Sequence, residues 1–129
     1  MYNSIGERIR DIPEELDLIS LFGAIPKRKD ESDAFYYDTS TFVLENEKEK
    51  YEIILSPFYH EFSLRVKEKK TNKVLSYIEL LSVNKIEIVE DKMEHSKIRL
   101  FHGDSDRYVN ITEITLKPRF HIIFREQYC

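Results

Sequence analysis

With one cysteine, three glycines, four prolines and no tryptophan, the chain lacks the raw material of several protein classes. The single cysteine, Cys129, can form no internal disulfide, which fits a reducing cytoplasm and disfavours a disulfide-stapled secreted domain. Gly6, Gly23 and Gly103 stand far apart, so no glycine-rich phosphate loop can be built from them. No apolar run approaches the roughly 18 residues of a membrane-spanning helix, and Met1–Arg10 has no apolar signal-peptide core. Basic residues form no stripe and the net charge is −4, against the footprint of a nucleic-acid binder. These absences predict a soluble, cytoplasmic protein without nucleic-acid or membrane partners.

What remains is a foldable, densely charged chain. A 41% hydrophobic content with eight tyrosines and eight phenylalanines excludes a disordered polymer. At 129 residues the chain suits one domain, 1–129, burying roughly 65–70% of the surface that its unfolded form exposes. The 34% of charged residues must decorate the exposed faces, and they do so unevenly. Residues 1–64 hold 7 basic and 14 acidic groups, net −7, and residues 65–129 hold 13 and 10, net +3. An acidic half steers a basic partner without identifying it, and two differently charged surfaces of one solvated domain give the same pattern.

From Tyr51 onward the pattern is period two. Phe62, Leu64 and Val66 alternate with Ser63, Arg65 and Lys67, Ile86 and Ile88 with Lys85 and Glu87, and Phe120, Ile122 and Phe124 with Arg119, His121 and Arg125. Such alternation predicts strands with one buried and one wet face. Strands are expected near 51–56, 60–69, 74–80, 85–90, 97–102, 108–116 and 119–125, after an earlier one within 34–44 that breaks near Asp38. Residues 45–50, with Asn46, suit a hairpin loop, and Lys70–Lys73 suit a turn in which Asn72 takes the left-handed conformation. Pro118 presets a turn between the last two strands. Links this short cannot join parallel neighbours, so the sheet is expected to be an antiparallel meander. Seven to eight strands tend to curl, which predicts a strongly curved sheet or partial barrel over 34–125. In 109–116 the apolar parity flips between Ile111 and Ile114. A β-bulge near Thr112–Glu113 or burial on both sides of the strand would account for it.

The N-terminal 1–25 reads as helical. Ile5, Ile9, Ile12, Leu16 and Ile19 fall on one helical stripe, which Pro13 interrupts. Helices over Ser4–Arg10 and Pro13–Phe22 are predicted, with Gly23 as the C-terminal cap, or a single kinked helix in their place. The stripe is expected to lie in the concave face of the sheet, giving an α+β fold. Residues 26–33, Pro-Lys-Arg-Lys-Asp-Glu-Ser-Asp, read as an exposed charged connector.

Chemistry-bearing motifs are sparse. His60 and His102 share parity with core-facing neighbours at strand ends. They would meet a metal only with a carboxylate such as Glu61 or Asp104, and no paired histidine spacing supports one. The Asp104-Ser105-Asp106 turn is too short for a calcium loop and suits local side-chain-to-backbone bonds. His121, between Arg119 and Arg125 on one face, forms a basic cluster that faces either an anion or glutamates of the next strand. His60, His102, Asp104 and His121 are thus a candidate polar rim, with no metal, cofactor or catalytic residue assigned. Tyrosine is plentiful, at Tyr36, Tyr37, Tyr51, Tyr59, Tyr77 and Tyr108, and serves both strand packing and contact surfaces. Asp30, Glu31, Asp33, Tyr36 and Tyr37 are the candidate partner-binding residues.

The stretch Ser56-Pro57-Phe58-Tyr59-His60-Glu61-Phe62-Ser63-Leu64, followed by Glu79-Leu80-Leu81-Ser82-Val83-Asn84-Lys85-Ile86-Glu87-Ile88, resembles small immunity proteins of bacterial polymorphic-toxin loci and related uncharacterised families of Gram-positive bacteria. The resemblance covers residues 51–125 and rests on length, acidity and strand rhythm. It implies a protein that blocks a cognate toxin by surface contact, without chemistry of its own. The expectation is therefore a non-catalytic protein-binding module with a protein partner. The alternatives are a small-ligand binder or enzyme using the mouth of the curved sheet, or a structural subunit pairing as a homodimer through a sheet edge.

Overall fold

The computed structural model describes residues 11–103 and 105–128. The helix expected over Ser4–Arg10, with Ile5 and Ile9, lies outside the described residues, as do Asp104 and Cys129.

Among the described residues, one helix, α1 (Glu15–Phe22), precedes nine strands. The Glu14 amide donates to Asp17 Oδ2 at its start, and Gly23 ends it at φ 64°, donating its N–H to Ile19 O at 2.8 Å. The helix buries Leu18, Leu21 and Phe22, an i, i+3, i+4 set. Ile12 and Ile19 pack at the margin of the core, but Leu16 is 75% exposed, against the expected stripe. The helix starts only at Glu15, so the spacing from Ile12 to Leu16 crosses non-helical chain and fixes no common face.

Strands β1 (Lys27–Arg28), β2 (Ser40–Glu45), β3 (Glu49–Ser56), β4 (Glu61–Glu68) and β5 (Val74–Leu80) form one antiparallel sheet in sequence order. Strands β6 (Val83–Lys92), β7 (His95–His102), β8 (Tyr108–Lys117) and β9 (His121–Tyr128) form a second. Pairing places Phe42, Ile53, Leu64 and Ile78 in one inward row of the first sheet, and Ile88, Ile98, Ile114 and Ile122 in one row of the second. The inward rows and the helix share one buried cluster.

Antiparallel pairing and the α+β mixture are as expected. A single curved sheet or partial barrel of seven to eight strands is not: there are nine strands in two sheets, and no barrel closes among the described residues. Alternation reports which side of a strand is buried but not which sheet it joins. The division falls at Leu81–Ser82, where the Val83 amide turns to His60 O at 2.9 Å instead of pairing with β5.

Two local expectations also change. The β7–β8 register runs without a shift through Thr112 and Glu113, so no bulge sits there. Thr112 is opposite Leu100, whereas Ile111 is opposite Phe101 and Arg125 on the outer face, so the strand is buried on both sides. The register shift lies instead at Ser96–Lys97, beside Leu116. The connector at 26–33 is partly a strand, because Lys27 and Arg28 pair with Thr41 and Ser40. The break expected near Asp38 is a 3-10 turn over Phe35–Tyr37, with β2 starting at Ser40.

Candidate functional site

Two 3-10 turns build the largest group of exposed aromatic rings. The first, Phe35–Tyr37, follows the charged connector, and the second, Pro57–Tyr59, joins β3 to β4. Proline suits the first position of the second turn because it has no N–H to leave unpaired there. His60 then takes the left-handed conformation at φ 62° and donates its N–H to Pro57 O, returning the chain into β4. The turns lie side by side, with Tyr37 and Phe58 5.2 Å apart between ring centroids. Tyr36 sits edge-on to Tyr37 at 5.3 Å, and Tyr59 edge-on to Phe58 at 5.3 Å. Edge-to-face rings at these separations hold one another in a fixed arrangement. Tyr37, Phe58 and Tyr59 remain 59%, 48% and 65% exposed.

The base of this cluster is held by Arg28. Its guanidinium donates to Asp38 Oδ2 at 2.7 Å, Glu15 Oε2 at 3.1 Å and Asp33 O at 2.6 Å, and lies 5.8 Å from the centre of the Phe35 ring. The hydrogen bond to Asp38 is the main reason that the Arg28 pKa is raised. Burial pushes the Asp38 carboxyl up, but Arg28 and the amides of Asp30 and Thr39 outweigh it and hold the group below the usual carboxylate range. Beside this ion pair a groove of about 570 Å3 is lined by Ile12, Pro13, Glu14, Glu15, Asp17, Phe35 and Tyr36. Aromatic surface edged by carboxylates can receive an arginine or lysine side chain by cation–π contact and charge pairing together.

Among the candidate partner-binding residues, the structure sets Tyr36 and Tyr37 in the cluster. Asp30 is exposed but folds back on Ser32, accepting from its amide and hydroxyl, while Asp33 lends its carbonyl to Arg28 and Glu31 is exposed. Phe58 and Tyr59 complete the aromatic group, and Glu14 and Asp17 its acidic edge. Sequence reasoning placed none of the four in the partner-binding set, although Tyr59 was among the tyrosines read as strand packing or contact surface. The one signal was Pro57, which marked a break in a strand run and left the next two rings without a sheet to bury them.

Among the described residues, the three rim histidines take separate partners. His60 donates its Nδ1 proton to Val83 O at 3.0 Å, so its ring joins its backbone carbonyl in tying the sheets together. His102 is buried, its Nε2 lies 2.7 Å from Thr112 Oγ1, and burial lowers its pKa, favouring the neutral ring. His121 is exposed on β9 opposite Thr115, and Arg119 leaves the expected basic cluster to reach Glu49 at 3.2 Å. Among the described residues, no three histidine, cysteine or carboxylate side chains converge as metal ligands.

A second polar centre was hidden in the 45–50 loop. Glu49 is buried and receives the amide N–H of Phe120, the guanidinium of Arg119 and the side-chain amide of Asn46. Burial raises its pKa, and these donors more than reverse the effect. Tyr51 and Asn46 both donate to Leu116 O, at 3.0 and 2.9 Å. Burial, and then the Glu49 charge, push the Tyr51 phenol upward. These groups join the β2–β3 hairpin of one sheet to the β8–β9 hairpin of the other, and each partners another protein group.

Comparison of the chain with family models, curated proteins and solved structures finds no match.

Proposed function

We propose that the protein is a non-catalytic binding module whose contact surface is the Tyr36, Tyr37, Phe58 and Tyr59 cluster with its acidic edge. The observation that carries this reading is the exposure of aromatic rings packed against one another. Rings of this kind supply contact area at little entropic cost and dominate interface hot spots. The partner that fits is a protein presenting basic side chains. Glu14 and Asp17 are among the acidic groups whose net −7 over residues 1–64 attracts it, and the rings hold it. An immunity protein of a toxin locus, acting in the cytoplasm, is the specific form of this proposal.

The test is co-expression with genes encoded beside this one, reading growth rescue and co-purification. A rescued toxin should lose protection when Tyr37→Ala and Phe58→Ala are combined. Their effect should fall on dissociation, by tenfold or more for a hot-spot pair (about 1.4 kcal/mol per tenfold). Replacing Asp30, Glu31 and Asp33 by lysine should instead slow association at low salt, and do so much less at 0.15 M, where the Debye length is about 8 Å. Full protection by the double aromatic variant would remove this surface from the proposal.

A further inference from the structure

Among the described residues, four strands lie at sheet edges: β1, β5, β6 and β9. A regular edge offers unpaired backbone groups to any strand that reaches it, and folded proteins usually blunt such edges. Three of the four are blunted here. Strand β1 is two residues long and lies in the basic run Lys27-Arg28-Lys29. The β4–β5 register shifts between Val66 and Lys67, and the β6–β7 register shifts twice, between Val83 and Lys85 and between Ile88 and Glu90. Strand β9 differs. It pairs with β8 through eight consecutive residues without a shift, and, as β5 does with Val74, Leu75 and Tyr77, it leaves large residues exposed, here Ile123, Phe124 and Tyr128.

We propose that β9 pairs antiparallel with β9 of a second copy of this chain, joining two four-stranded sheets into one. A two-fold axis perpendicular to the sheet keeps faces matched, so each residue must oppose one of its own parity. The charges then select the register. Centring on Ile122 sets Arg119 against Arg125, centring on Arg125 opposes that residue to itself, and centring on Glu126 does the same for a carboxylate. Each puts like charges directly opposite, which disfavours it. Centring on Phe124 places Ile122 against Glu126 and Ile123 against Arg125. Centring on Ile123 sets His121 against Arg125 but opposes no two lysine, arginine or carboxylate side chains within the strand, and it opposes Ile123 to itself and Ile122 to Phe124 on both sides of the axis, so every aliphatic or aromatic residue from 122 to 124 meets an apolar partner. Self-complementarity of this kind favours a second copy over a foreign strand.

The experiment uses the full chain. Sedimentation velocity over a concentration series should show a species of twice the 15.5 kDa chain mass, lost in Phe124→Lys and retained in Val74→Lys on the β5 edge. Unchanged circular dichroism of the Phe124→Lys protein keeps this loss distinct from misfolding. In a Cys129→Ser background, Ile123→Cys should cross-link to its own copy on mild oxidation and Phe124→Cys much less. Opposed strand residues lie within the separation that a disulfide spans. A monomer at every concentration, a dimer that survives Phe124→Lys, or one abolished by Val74→Lys would overturn the proposal. Preferential cross-linking through Phe124→Cys would overturn the register.

Discussion

The two sheets bury their central strands alike, but the inward face is open in part at the β9 edge. In the first, the inward residues of the central strands are covered from end to end: Tyr51, Ile53 and Leu55 on β3 and Phe62, Leu64 and Val66 on β4 are all 3% exposed or less. In the second, Ile98, Leu100 and Ile114 are equally covered, but on β9 only Ile122 reaches the core and its neighbour Phe124 is 59% exposed. The same alternation of apolar and polar residues therefore marks a core strand in one sheet and a half-open edge in the other. What separates them is position in the sheet, central for β4 and edge for β9, which no residue within the strand encodes.

The sharpest way to break this comparison is to delete a ring from each sheet. Phe62→Ala should cost about 3–5 kcal/mol, since it opens a cavity under closed neighbours. Phe124→Ala should cost less than about 1 kcal/mol, because solvent already reaches the site. Equal shifts in denaturation midpoint at unchanged slope would show that β9 is as deeply packed as β4.

Next in size is the junction between the sheets. Glu49→Leu removes the acceptor of the Phe120 amide, and leaving that part-buried donor unpaired costs about 1–3 kcal/mol. Urea unfolding measures it. A neutral substitution would mean that the hairpins are held by apolar contact alone.

A smaller effect, confined to a pH window, belongs to His102. Its folded pKa lies below its unfolded value near 6.5, so the unfolded chain binds the proton first. Its contribution to stability is therefore complete above that value and declines as pH falls from it towards the folded pKa. The depressed carboxyls of Asp38 and Glu49 act at lower pH, where their protonation removes stability. In His102→Asn, stability between pH 7 and 5 should vary less than in the parent. An unchanged slope would assign the acid sensitivity to another group.

The smallest effect is expected on the wet face of the second sheet. There Arg99 spans Glu87 and Glu113 at 2.7 and 2.8 Å, and Lys97 flanks them at 3.8 Å from Glu113. Lys97→Met should change stability by no more than about 0.5 kcal/mol, because its contact with the partly buried Glu113 is long and Arg99 already pairs that carboxylate. A larger loss would show that this charged row supports the sheet as the apolar rows do.

Seven of the nine strands, β3 to β9, were legible to within a few residues, because alternation, turn residues and short links act locally. The Glu15–Phe22 helix was legible from Pro13 and Gly23, but its buried face was not, since Leu16 and Leu18 are equally apolar and only the docked helix axis chooses between them. The partition into two sheets and the pairing of β1 depend on residues far apart in the chain. So does the Glu49 centre, in which Asn46 and Leu116 are 70 positions apart. Of the candidate site, Tyr36 and Tyr37 were visible as unplaced aromatics. Their association with Phe58 and Tyr59 was not, because it requires two turns from different hairpins to meet.

The two-residue link Leu81–Ser82 separates the strand pairings completely. Every ladder on its N-terminal side joins neighbours among β1 to β5, and every ladder on the other side joins neighbours among β6 to β9. A peptide cut at that link would leave all seven pairings closed by their own short loops. In kinetic terms, each sheet needs only local closures, which are entropically cheap and fast. Contacts of high sequence separation enter when the halves dock: Tyr51 and Asn46 on Leu116, Ser20 on Asp91, and the Ile86 amide on Asp11 O. The slow search in folding this chain is thus the meeting of two preformed sheets, with α1, carried by the first half, reaching across to the second.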